Sequence, residues 1–272
     1  MNQYAGKASG TGRAGLFLLL ATALWLALPA PAGAQGGRRS DRVLYPYSDP
    51  VRIYIGAEAG YGWWTNSGSF LVSDGDRTCV VMNAGDGAGR TLGAKAMVYL
   101  NSWLFVSPRV RQEIRSGKAT TPLPGEPVRD RENNVVMLEQ EGRADITVSA
   151  LALDAMIGAE FYGAYLFAGG SMSLLNDGTY DYSERLTGPP GFTYSDTRTS
   201  QHTLIRNRAF DGYESSTFDL RGGVGYLFQI GPLAINPEVF YSLPLTSALR
   251  APDELKQDGI VATIGIMYNL GE

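Results

Sequence analysis

Between Ile260 and Leu270 the apolar residues fall on every second position: Ile260, Ala262, Ile264, Ile266, Tyr268 and Leu270 share one face of an extended chain. The same period of two recurs in segments 51–64, 92–100, 104–114, 146–161, 166–174, 218–228 and 233–243, so eight strands are expected. In 51–64 the apolar set Val51, Ile53, Ile55, Ala57, Ala59, Tyr61 and Trp63 opposes Arg52, Tyr54, Gly56, Glu58, Gly60 and Gly62. Segment 104–114 sets Leu104, Val106, Pro108, Val110 and Ile114 against Ser107, Arg109, Arg111 and Glu113. Pro108 and Pro237 are awkward there, since each removes a ladder donor. In 146–161 the apolar face switches before Ala150, which is read as a β-bulge.

The first segment is an address rather than structure. Lys7 and Arg13 precede an apolar run from Ala14 to Leu28, and Ala32-Gly33-Ala34 offers a small-residue cleavage site, so residues 1–34 are read as a signal peptide. Residues 35–50 form a short polar leader, and 51–272 the domain. Beyond the leader no run of about 18 apolar residues remains, which excludes membrane-spanning helices and leaves a closed barrel as the way to cross a bilayer. With 34 glycines and 15 tyrosines, composition agrees with many short strands and tight turns. A net charge of -4 without a basic stripe argues against a nucleic-acid partner. Cys79, the one cysteine, has no internal partner for a disulfide and is read as a small apolar side chain.

The joins between strands alternate in length. Segments 65–91, 115–145, 175–217 and 246–259 are long, while those at Asn101-Ser102, Tyr162-Gly163 and Gly231-Pro232 are tight. Long external loops alternating with short periplasmic turns are the habit of a small outer-membrane barrel. Aromatics gather near strand ends as interfacial girdles do: Tyr61, Trp63 and Trp64 on the loop side, Trp103, Phe161, Tyr162, Phe228 and Tyr268 on the turn side. A soluble, secreted carrier of the lipocalin type shows the same alternation with reversed polarity, its apolar face inward. The glycine-rich, charged second face, the loop order and the aromatic placement favour lipid outside. The expected fold is therefore an all-β, eight-stranded antiparallel up-and-down transmembrane barrel in the outer membrane of a Gram-negative-type bacterium.

Three runs in the distal half carry a family likeness: Phe218-Asp-Leu-Arg-Gly-Gly-Val-Gly-Tyr-Leu-Phe228, the turn Gly231-Pro232 followed by Leu233-Ala-Ile-Asn-Pro-Glu-Val-Phe-Tyr-Ser-Leu-Pro-Leu245, and Gly265-Ile-Met-Tyr-Asn-Leu270. In their order they resemble the PorT-like and other small outer-membrane barrels. The resemblance implies a structural or surface role and no common catalytic residues. The chain ends in Gly271-Glu272 where many such barrels end on an aromatic residue, so Tyr268 and Leu270 are expected to serve the barrel assembly machinery.

With apolar faces outward, the lumen receives Arg52, Lys95, Arg109, Arg111 and Arg221 together with Glu58, Glu113, Asp154, Glu160, Asp219 and Glu238. An interior of eight strands is just wide enough for side chains to fill, so these charges are expected to pair as a plug rather than line an ion path. A small pore or transporter is the alternative. No catalytic residue is assigned, since His202 stands alone in the longest loop and Asp154 with Glu160 fits the lumen network as well as acid-base work. Asp74-Gly-Asp76 and Asp86 read as turn chemistry rather than a cation site, and Gly85, Gly87 and Gly89 lack the strand-turn-helix context of a phosphate loop, so no metal or cofactor is expected. Tyr180, Tyr182, Tyr194, Arg206, Arg208 and Tyr213, in segment 175–217, suit either an adaptable binding surface for an unidentified partner or a solvated hairpin extension. Basic groups there also suit lipopolysaccharide phosphates. The expected function is non-enzymatic, in envelope structure, adhesion or assembly through the surface loops.

Overall fold

Twelve strands follow one another in the computed structural model: β1 (Ile53–Ser67), β2 (Ser69–Asp74), β3 (Arg77–Asn83), β4 (Asp86–Tyr99), β5 (Leu104–Arg129), β6 (Val135–Phe161), β7 (Ala164–Gly188), β8 (Gln201–Ala209), β9 (Ser216–Tyr226), β10 (Phe228–Ile230), β11 (Leu233–Pro244) and β12 (Lys256–Asn269). The structure describes residues 52–271 apart from 75, 76, 84, 130, 131 and 196. The expected signal peptide, the polar leader, Val51 and part of the Asp74-Gly-Asp76 turn lie outside the described residues, as does the side chain of Cys79.

Eight strands close into an antiparallel ring in the order β1, β4, β5, β6, β7, β9, β11, β12, with β12 returning to β1 from Tyr54↔Asn269 to Ser67↔Lys256. These match the eight alternating segments of the sequence to within two residues at their turn-side ends, and the protein is an all-β, eight-stranded barrel. β10 continues β9 beyond Leu227 along β11, β8 pairs with the distal part of β7, and β2 and β3 form a hairpin of their own. Among the described residues no helix is long and apolar enough to cross a membrane.

The tight joins follow local chemistry. Asn101 Oδ1 accepts the backbone N–H groups of Trp103 (3.0 Å) and Leu104 (2.7 Å), closing the β4–β5 turn. Between Phe161 and Ala164, Tyr162 (φ 54°) and Gly163 (φ 85°) both occupy the left-handed region, as a two-residue hairpin turn matched to strand twist requires. Both prolines sit where one ladder is interrupted. The β4–β5 register breaks between Lys95↔Arg109 and Val98↔Val106, and Pro237 faces the break between β9 and β10. Each keeps its pairing on the other side, with Ala155 and Ile264 respectively.

The joins expected as long loops are largely strand. β5, β6 and β7 run for 26, 27 and 25 residues, against the roughly 9–11 that cross a bilayer. The wall therefore rises well past the ring, and the β2–β3 hairpin folds over the inner face of this rise. Its core is apolar: Phe70, Val72 and Met82 meet Ala119, Ala144, Ile146, Val148, Tyr180, Tyr182, Ile205, Phe210 and Leu255. The outward positions here are Lys118, Thr120, Arg143, Asp145, Thr147 and Asp181.

One wall thus carries two polarities. In the ring, Leu92, Ile157, Leu166, Ile264 and Ile266 point outward and more than half exposed, with charge inside; in the rise the apolar side turns inward. Strand β6 crosses the boundary without changing face: Ile146, Val148, Ala152, Asp154 and Met156 all point inward. The expected bulge in β6 is corrected accordingly. The irregularity opposite Ser149 and Ala150 belongs to β7, where Asn176 is the extra residue and the inward parity passes from Ser171 and Ser173 to Tyr180 and Tyr182. What changes along β6 is the character of the outward positions, from apolar at Leu153 and Ile157 to polar at Thr147, Asp145 and Arg143.

Candidate functional site

Inward alternation brings ten charged side chains into the ring: Lys95, Arg109, Arg111, Arg115 and Arg221 against Glu58, Glu113, Asp154, Asp219 and Glu238, all buried. The signs balance, five against five. They form two connected groups. On the turn side, Arg109 Nη1 and Nη2 donate to Glu238 at 2.5 and 3.1 Å, and Lys95 Nζ lies 3.1 Å from Glu238 and 3.2 Å from Glu58. Lys95 also donates to Asn236, whose amide donates to Tyr165 Oη and to the Tyr226 carbonyl (2.9 Å), while Tyr165 donates to Glu238.

On the loop side, Arg221 reaches Glu113 at 2.8 Å, Asp154 at 3.2 Å and Asp219 at 3.3 Å. Arg115 reaches Glu113 at 2.6 Å and Asp219 at 3.2 Å, and Arg111 donates to Asp154. Glu58 joins the groups, 3.6 Å from Arg111 Nε. It is held by charge alone, with no hydrogen bond to either oxygen among the described residues. For side chains buried as these are, unpaired charges cost several kcal/mol each, so dense pairing is the condition for keeping them.

Aromatic rings layer the cations. Arg109 lies 4.7 Å from the Phe167 ring centre, Arg111 4.7 Å from Phe240, and Arg115 4.4 Å from Trp64. Glycines make room for the inner rings: a Cβ on Gly89 would lie 2.8 Å from the Trp64 ring, and one on Gly225 2.4 Å from that of Tyr165. Below the network Tyr54, Tyr99, Phe105, Met97 and Met267 pack together, with Tyr54 and Tyr99 at 5.9 Å and Tyr99 and Phe105 at 5.5 Å. Above it, Gln257 Nε2 donates to Asn66 Oδ1 (2.7 Å) next to the apolar core of the rise.

The expected lumen residues are not all equivalent. Arg52 and Glu160 stand at the turn rim, 4.0 Å apart and partly exposed, with Arg52 4.0 Å over the Tyr99 ring and Tyr99 donating to Glu160. The other nine meet in the buried network. Sequence reasoning missed Arg115 and Tyr165, and placed Asn236 on the inner face of 233–243 beside Glu238 without a part in the network. Arg115 was signalled by the odd-numbered alternation of Arg109, Arg111 and Glu113 running on unbroken; Tyr165 and Asn236 gave no charge signal. Trp64 is corrected from girdle to interior, since it points inward against Arg115, whereas Tyr61 and Trp63 are about half exposed outside.

The six candidates of segment 175–217 separate. Tyr180 and Tyr182 are core residues, and Tyr213 packs on that core with its hydroxyl donating to the Asp177 carbonyl (3.0 Å); burial pushes its pKa up. These three are therefore not presented as a surface. Tyr194 is half-buried, its ring centre 5.5 Å from His202, and Arg206 is exposed on β8 with Arg208 half-buried beside it. Among the described residues no three His, Cys, Asp or Glu side chains are grouped to hold a metal ion.

The ring and its network define a β-barrel with an apolar outer belt and a charge-balanced interior. No family model and no curated protein matches the chain. Among solved structures it is similar to the outer membrane protein OprG from Pseudomonas aeruginosa (12% identity, TM-score 0.40, covering 82% of this chain and 98% of that one). It is also similar to Neisserial surface protein A (11%, 0.35, 79% and 96%) and to the outer membrane protease OmpT from Escherichia coli (9%, 0.31, 82% and 98%). The barrel assignment rests on the strand pairing of this chain.

Proposed function

We propose that the chain is a non-enzymatic outer-membrane barrel of a Gram-negative-type bacterium, closed by its own lumen side chains and acting through the sheet that rises from it. The observation that carries this reading is the balanced, buried network of ten charges between an aromatic floor and an apolar roof. A conducting path needs water beside its charges; here each buried charge lies within ion-pair distance of an opposite one. The belt supports lipid outside. From Ile53 to Trp63 the outward positions of β1 are apolar, about 33 Å of strand at about 3.3 Å per residue, or about 25 Å of height at a tilt near 40°.

The polarity expected of a soluble carrier occurs only in the rise, above that belt. The likeness of the distal half to PorT-like barrels carries the same implication, a structural or surface role. Envelope structure, adhesion and assembly are the roles that suit a sheet projecting from the cell, with lipid, the barrel assembly machinery and an extracellular partner as its contacts. Reconstituted in planar bilayers, the protein is expected to give no stable current; a large stable conductance would overturn the closed lumen. Mobility in detergent gels is expected to shift on heating, as a folded barrel becomes an unfolded chain.

A further inference from the structure

On β4 the outward face runs Val98, Ala96, Ala94, Leu92 and then Arg90, an exposed guanidinium set directly opposite Tyr61 on β1 and Ile114 on β5. On the neighbouring strands the outward positions from the turn end up to Trp63, Ile114 and Ile260 carry no charge. Among the described residues Arg90 has no ion-pair partner: the ten paired charges of the ring all point inward, and its own neighbours are Tyr61, Leu92, Gln112 and Ile114.

Its height is defined by register. Tyr61 lies one pleat below Trp63, where the apolar belt ends, so Arg90 sits about 5 Å beneath the upper boundary of a belt about 25 Å tall. A charge there is tolerated when the side chain extends along the wall to the interface, and a guanidinium is long enough to do so. At that level it meets the headgroup zone, which the exposed rings of Tyr61 and Trp63, 5.4 Å apart, also mark.

We infer that Arg90 is a docking point for the phosphate of an outer-leaflet lipid, held by the planar fork of the guanidinium against two phosphate oxygens beside the Tyr61–Trp63 pair. This rests on the reading above that the belt lies in a bilayer. The site differs from the basic residues of segment 175–217, which stand on the rise. Lysine supplies the charge without the fork, so R90K keeps part of the preference and R90A none.

The test uses full-length protein and the variants R90A and R90K in phosphatidylcholine nanodiscs containing a minor fraction of lipopolysaccharide, either intact or phosphatase-treated. Lipid retained per protein is counted by native mass spectrometry after detergent extraction. Wild type is expected to enrich the phosphorylated lipid over the treated one about fivefold, the gain from one basic residue near an anionic surface, with R90A near unity and R90K between. Heat-shifted gel mobility checks that each variant is folded. Equal enrichment in wild type and R90A would overturn the inference while leaving the membrane reading intact. Failure of wild type to enter nanodiscs would overturn the membrane reading itself.

Discussion

Arg221 touches three carboxylates at once, Glu113, Asp154 and Asp219, and all four groups are buried. Replacing it by methionine keeps much of the volume and leaves an excess of negative charge. Arg221→Met is expected to cost about 3–5 kcal/mol, the usual loss on removing one partner of a buried pair, read as a lower urea midpoint in detergent. Adding Glu113→Gln to that variant should restore part of the loss, because one uncompensated charge goes with it. An unchanged midpoint would mean that water reaches the network. Gly225 tests packing at the same scale. With a Cβ 2.4 Å from the Tyr165 ring, Gly225→Val is expected to lose about 1–3 kcal/mol by overpacking, measured by the same unfolding curve.

Strand β6 carries, at the scale of one element, both kinds of outward position on a single face. Leu153 and Thr147 point outward on the same strand, one pairing with Val110 in the belt and the other with Ser116 above it. Leu153→Arg should hinder insertion into liposomes, at about 2–4 kcal/mol near the middle of a bilayer, while Thr147→Arg should insert as wild type does. Equal insertion of the two variants would contradict the boundary. The far ends of β5 and β6 are separable from the barrel for a related reason, since the apolar core of the rise stops at Ala119 and Ala144. Thr121 and Gly142 lie directly opposite each other, so excising 122–141 and joining them with Asn-Gly builds a two-residue hairpin in register. The shortened protein is expected to keep heat-shifted mobility; its loss would show that the tip is needed for folding.

For the whole molecule, both ends of the ring lie beside the short turns: the Leu270 amide donates to the Ile53 carbonyl at 2.7 Å, and the Asn269 amide to Pro232 at 2.8 Å. The opposite end carries the rise and segment 189–200, which joins β7 to β8 and includes the exposed Arg198. Trypsin added to intact cells should therefore cut after Arg198 while the paired strands of the ring resist. Cutting only after the cells are opened would reverse the orientation.

How far the sequence could be read follows from which interactions are local. Period-two alternation is a property of an extended chain by itself, so the eight ring strands, the division of each into an apolar and a polar face and the tight turns at Asn101, Tyr162 and Gly231 were legible residue by residue. Nine of the ten buried charges followed from the same parity; Arg115 was lost only because β5 was ended at the length a bilayer demands. The rise was not legible for a different reason. Ile146, Val148, Tyr180 and Tyr182 are buried by Phe70, Val72 and Met82 from a hairpin far away in sequence, and no local pattern says that such a cover exists. Nor does alternation state what lies on each side of a strand. By itself the sequence determined a closed sheet of eight alternating strands with charge on one face. The tertiary structure alone decided where the apolar face turns from outside to inside, because that depends on which distant segment excludes water from it.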